Sequence, residues 1–111
     1  MEQELLNNIK TFFSSGELVY KAKDYTSATI LYFKCLFVLL DYIIFLKFGK
    51  TPKDHTERFR MLEHDFPDLY VILDKYFWIY RDTYSQTIER EKCNEVRDNV
   101  RSILKQQKIT Q

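Results

Sequence analysis

Apolar residues recur along this chain in blocks that carry the three-to-four-residue spacing of a helix face. From about Glu2 to Lys23, Leu5, Ile9, Phe12, Phe13, Val19 and Tyr20 fall near one side of a helix. Gly16 interrupts that segment; it either lets a neighbour pack closely or breaks the helix in two. Lys23-Asp24-Tyr25 reads as a tight turn, with Asp24 placed to accept a bond from a free backbone N–H of the next helix. That second helix, about Tyr25 to Phe48, is apolar over most of its surface, and only Lys34, Asp41 and Lys47 interrupt the run. A bilayer takes about 20 apolar residues to span. Lys34 and Asp41 would then lie within the hydrocarbon, at about 2.5–3.5 kcal/mol each near its centre. A central bundle helix, with any surplus apolar surface forming a homodimer face, is therefore the expectation.

Gly49 suits a helix C-terminus, with Lys47 and Lys50 complementing the dipole, and Pro52 stops any continuation. Asp54-His55-Thr56-Glu57 reads as a capping box, with Asp54 at the N-cap and Glu57 at N3. A short third helix follows to about His64, with Phe59 and Leu62 inward and Arg58, Arg60 and Glu63 toward solvent. Asp65-Phe66-Pro67-Asp68 breaks the chain, and Pro67 fits the first turn of a fourth helix. That helix carries Leu69, Ile72, Leu73, Tyr76, Phe77, Tyr80 and Tyr84 on one side, with Tyr70 and Trp78 off it, and should end between Gln86 and Glu89. The fifth, about Glu91 to Lys105, has a narrow stripe of Cys93, Val96, Val100, Ile103 and Leu104. Lys92, Glu95, Arg97, Asp98 and Arg101 form its solvated face. Short connections between long helices force antiparallel neighbours. The predicted fold is all-α: an up-and-down antiparallel bundle of four main helices, the short third helix acting as crossover, over residues 2–105 with a frayed tail at 106–111.

Composition narrows this further. The chain has 111 residues, 45% of them hydrophobic, and only two Gly and two Pro, too few turn formers for a sheet protein. Basic and acidic residues number 17 and 16, net +1, so global charge points to no nucleic-acid partner. Met1-Glu2-Gln3-Glu4 is acidic and polar, unlike a secretion signal, and a cytoplasmic setting is expected, with Cys35 and Cys93 as reduced thiols. Two His and two scattered Cys make a poor ligand set, so neither metal nor cofactor is expected.

The candidate chemistry lies where the aromatic run Tyr76-Phe77-Trp78 leads into Arg81-Asp82 and a short polar patch. Asp24-Tyr25-x-x-Ala28, an aromatic-rich helix, Gly49-x-x-Pro52-x-x-His55, a short helix and then Tyr80-Arg81-Asp82 come in order. In that order and spacing the chain resembles a HEPN domain, of the small stand-alone prokaryotic kind, over about residues 2–105. The resemblance implies a helical bundle that dimerises through its long helices. It also implies a minimal nucleotidyltransferase as partner, some such pairs being toxin–antitoxin systems. Many HEPN domains are metal-independent ribonucleases whose motif is an Arg, a polar residue and, a few residues on, a His. Arg81 and Asp82 match the first two positions, but the fifth residue after Arg81 is Gln86. Attack by a ribose 2′-OH needs a group that exchanges protons near neutral pH; glutamine hydrogen-bonds but does not titrate. Arg81 retains the bidentate geometry that holds phosphate.

The expected function is thus a non-catalytic homodimeric partner module, acting with a nucleotidyltransferase or binding nucleotide or RNA through Arg81, Asp82, Tyr84 and Gln86. One alternative is a ribonuclease with a displaced His, for which Arg58 and His64 fit the loose spacing. Another is a scaffold whose apolar faces only dimerise. The plain structural alternative for Arg81-Asp82 is an ion pair or capping set tying the fourth helix to a neighbour. For Tyr76, Phe77 and Trp78 it is packing, and His55 reads as a helix-start residue anchoring the crossover.

Overall fold

Local chemistry sets the helix boundaries. The computed structural model describes residues 1–110, and its elements are α1 (Glu2–Lys21), α2 (Tyr25–Phe48), α3 (His55–Asp65), α4 (Pro67–Asp82) and α5 (Arg90–Gln106). The Asp24 carboxylate accepts the Ser27 N–H at 3.0 Å and opens α2. Gly49 closes it in the left-handed conformation, φ 75°, donating its N–H to the Phe45 carbonyl at 2.8 Å. Asp54 accepts the Glu57 N–H at 2.9 Å, while Glu57 reaches the Lys53 N–H, one residue before the amide a capping box would use. Pro67 occupies the first turn of α4.

The C-terminal ends of α1 and α5 depart from the expected pattern in the same way. After α1, Lys23 takes a left-handed φ of 66°, its N–H bonds the Tyr20 carbonyl, and the Asp24 N–H reaches back to Val19. After α5, Lys108 (φ 57°) repeats the device, and the Ile109 N–H bonds the Leu104 carbonyl. These are Schellman turns with lysine where glycine is usual. The tail expected to fray therefore turns back and seats Ile109 against the core; Gln111 lies outside the described residues. The largest boundary correction is at α4, which ends at Asp82. The Thr83 hydroxyl donates to the Tyr80 carbonyl at 2.6 Å, and the Asp82 carbonyl receives the Ser85 and Gln86 N–H groups, so the chain turns. Tyr84 and Gln86 lie beyond the helix rather than continue it.

α2 is the axis against which every other helix packs. Pairing of Tyr20 with Tyr25, Glu17 with Tyr32 and Ile9 with Cys35 runs in opposite chain directions, so α1 and α2 form an antiparallel hairpin. Gly16 sits inside an unbroken α1: a Cβ there would meet the Tyr32 ring at 2.8 Å, so glycine is required by close approach. α5 lies along the same groove. The Ile88 N–H donates to the Thr26 hydroxyl at 2.8 Å, and the Tyr20 hydroxyl donates to the Asn94 side-chain Oδ1. Arg97, expected on a solvated face, is instead half-buried. It forks onto Glu17 at 2.7 and 2.9 Å and stacks on Tyr20, because Glu17 faces α5 across the hairpin. Hydrogen bonds from Arg97 hold the Glu17 carboxyl below its usual range and raise the guanidinium's affinity for its proton.

The core joins Tyr32, Phe33, Leu36, Leu39, Leu40 and Ile44 of α2 to Ile9, Leu62, Leu73, Val96 and Ile103. Ile79 is buried with them although it lay outside the expected stripe. The radius of gyration, 13.4 Å, agrees with the roughly 13 Å of one compact domain of this length. Both cysteines are free and buried, and burial pushes the Cys35 thiol up to about 12, which leaves it unreactive. Among the described residues α2 alone has the length and hydropathy to cross a membrane; here it is the core helix of a compact globular chain.

Candidate functional site

A carboxylate in the apolar spine organises the first cluster. Asp41 projects from α2 toward α3, and Arg58 answers it with a bidentate pair: Nε to Oδ1 at 2.6 Å and Nη2 to Oδ2 at 2.9 Å. Arg58 was expected to be solvated, yet it is only 8% exposed, because Asp41 supplies the counter-charge that makes burial tolerable. Its remaining Nη1 donates to His55 Nδ1 at 2.6 Å. A guanidinium has no acceptor, so Nδ1 must be the unprotonated nitrogen and Nε2 carries the hydrogen. Around this triad stand aromatic rings. Phe37 lies 4.8 Å from the His55 ring and Phe77 5.6 Å, both edge-on, and Arg58 stacks over Phe37. Tyr80 meets Phe37 at 5.0 Å, nearly perpendicular. His55 thus begins α3 and anchors the crossover to α2 and α4 at once.

Partial burial lowers the His55 pKa, and the neighbouring Arg58 charge lowers it further, although the residue as a whole stays exposed. The folded state therefore prefers neutral His55. A depressed pKa gives stability that is complete above the unfolded value, about 6.5, and is lost as pH falls through the folded one. Urea midpoints should accordingly drop between pH 7.5 and 5. In His55→Asn, whose amide oxygen still accepts from Arg58, that share of the drop should vanish; an unchanged pH dependence would refute this account.

The second cluster is the end of α4. Arg81 is exposed in the last turn, where its charge complements the helix dipole. Among the described residues neither Arg81 nor Asp82 enters a salt bridge, so the ion pair to a neighbouring helix is not formed. Asp82 is half-buried and contributes its backbone carbonyl to the turn. Tyr84 is 78% exposed; its ring meets Tyr80 edge-on at 5.8 Å, with the two hydroxyls 3.3 Å apart. That hydrogen bond, with burial second, pushes the Tyr80 phenol up to about 12. Gln86 is exposed in the turn. Trp78, one turn before Arg81, is 42% exposed with the Lys92 ammonium 5.1 Å from its ring centre. Tyr76 and Phe77 pack against the core, as expected.

The turn thus brings Arg81, Asp82, Tyr84 and Gln86 into one short stretch, but the fold does not unite Arg58 with His64. The His64 side chain is 84% exposed on the far end of α3, beside Asp65 at 3.2 Å, while Arg58 is committed to Asp41. The Asp41–Arg58–His55 cluster was missed in the sequence, although a lone carboxylate in an apolar run was its signal. Chemically, the α4 end offers a free guanidinium, an exposed phenol and an amide: groups that bind anions and stack on flat rings. No protein family, curated protein or solved structure matches this chain.

Proposed function

We propose that the chain is a non-catalytic HEPN-type binding module, cytoplasmic, with its main helices running up and down as a bundle. It works as a homodimer and holds a phosphate-bearing nucleotide or RNA, or a nucleotidyltransferase partner, at the end of α4. The observation that supports this most is the contrast between arginines. Arg58 and Arg97 are each forked onto a carboxylate, whereas Arg81 stands exposed beside Tyr84 without an acidic partner among the described residues. A guanidinium left free three residues before a solvent-facing ring offers groups that suit a phosphate and its base. Leu46 and Phe48, exposed together at the C-terminal end of α2, offer apolar surface to a second copy.

The state of His55 favours binding over cleavage. Its basic nitrogen is occupied by Arg58, and the other ring nitrogen already carries the proton. That ring donates a hydrogen bond but has no free lone pair with which to take a proton from a 2′-OH.

Trp78 is the chain's single tryptophan and lies one turn from Arg81, so its fluorescence reports on this end of α4. Titration with 5′-AMP and with a short single-stranded RNA should give saturable changes, and Arg81→Ala should weaken binding by about tenfold or more. The RNA should survive incubation intact. Absence of saturable binding to either probe, or equal binding by Arg81→Ala, removes the reading. RNA cleavage lost in His55→Asn would instead establish a ribonuclease. Sedimentation over a range of concentrations tests the dimer.

A further inference from the structure

Between α1 and α5, on a part of the chain that the α4 end does not include, lies a surface cleft of about 700 Å³. Its size falls in the range of small-molecule sites, roughly 300–1,000 Å³. Phe13, Leu104 and Ile109 give it an apolar base. Ile109 is there only because the left-handed Lys108 folds the chain back after α5. Along one wall Arg101 and Lys105 succeed each other at the four-residue spacing that puts both on one helix face.

The charges on this lining are not equivalent. Glu17 is already engaged: it accepts two bonds from Arg97 and one from the Tyr32 hydroxyl. Arg97 is held by that carboxylate and by the Tyr20 ring. Arg101 and Lys105 are exposed, and neither is in a salt bridge among the described residues. Among the described residues, three cations (Arg97, Arg101, Lys105) against two carboxylates (Glu17, Asp98) leave the lining one positive charge. A polyphosphate would meet Asp98 and find too little compensation, whereas a single negative charge is matched. The apolar base beneath the cationic wall calls for an equally divided ligand.

We infer that the α1–α5 cleft binds a small amphiphile with one anionic head, the apolar body resting on Phe13, Leu104 and Ile109 and the head between Arg101 and Lys105. The head is a carboxylate or a sulfate monoester, each carrying one negative charge, and the body is an alkyl chain or a ring.

The test is a backbone-amide NMR titration of the whole chain with decanoate and, separately, decyl sulfate, both kept below their micelle concentrations. Either probe should move the amides of Arg101–Lys105 and Ile109 saturably, and the tighter one identifies the head. The Arg101→Ala/Lys105→Ala variant changes only exposed side chains, so it should fold normally. It should bind at least about tenfold more weakly. Arg81→Ala should bind as the parent does, which keeps this result separate from any outcome at α4. The inference is overturned if neither probe gives saturable shifts at these residues, if decanol binds as well as decanoate, or if the double variant retains full affinity. It is also overturned if the same amides already move when the protein alone is diluted, because a second copy of the chain then covers the cleft.

Discussion

Asp41→Ala should destabilise the chain by about 3–5 kcal/mol, and Arg58→Ala by a similar amount. Both side chains are largely withdrawn from water, at 14% and 10% exposure, so neither partner can be rehydrated cheaply once the other is gone. Removing Asp41 strands a guanidinium between α2, α3 and the Phe37 ring. His55 offers it one acceptor but no charge. Removing Arg58 strands a carboxylate on the central helix. The pair as a whole is a different matter, since taking two ions out of water costs about as much as their attraction returns. Asp41→Leu combined with Arg58→Met should therefore be near neutral, although each half alone is severe. Urea unfolding monitored by helix ellipticity measures all of these, with coupling read from the cycle. A loss under about 1 kcal/mol in Asp41→Ala would place the pair among weak surface contacts.

Tyr32→Ala should cost about 3–5 kcal/mol, the range for a large ring removed from a tight core. The Tyr32 residue has no exposed surface, its ring covers Gly16, and its hydroxyl donates to Glu17 at 2.6 Å. Position 16 then supplies the more informative comparison. In the parent, Gly16→Ala gains up to about 1 kcal/mol of helix propensity but drives a methyl into the ring, an overpacking cost of about 1–3 kcal/mol. Tyr32 has little freedom to retreat, being fixed by Glu17 and flanked by Phe13 and Tyr20. Gly16→Ala should be destabilising in the parent and stabilising in the Tyr32→Ala background. The same sign in both backgrounds would mean that the close approach does not explain this glycine.

These two sites mark how far the sequence could be read. Asp24, Gly49, Asp54 and Pro67 were legible because capping acts over three or four residues, within reach of any local pattern. The end of α4 was not, because the Thr83 hydroxyl competes for a backbone carbonyl and stops a helix that the aromatic spacing would have continued. Arg97 and Arg58 were assigned to solvent for a different reason. Their partners, Glu17 and Asp41, lie 80 and 17 residues away, so no window along the chain contains both members. Asp41 alone held a usable clue: a buried helix does not keep a carboxylate without a cation to meet it. At the candidate site, Arg81 and its neighbours could be picked out, but the release of Tyr84 and Gln86 from the helix by the turn at Thr83 could not.

Asp41 has one more effect, which belongs to the time before the fold exists. During synthesis α2 emerges ahead of α3, so its apolar surface is exposed before Arg58 has emerged to meet it. At that stage the segment has the length and hydropathy of a membrane span. Its carboxylate then stands alone and imposes about 2.5–3.5 kcal/mol on passage into a bilayer. The same group that later fastens α3 to the core thus first discourages the nascent helix from leaving water by the wrong route.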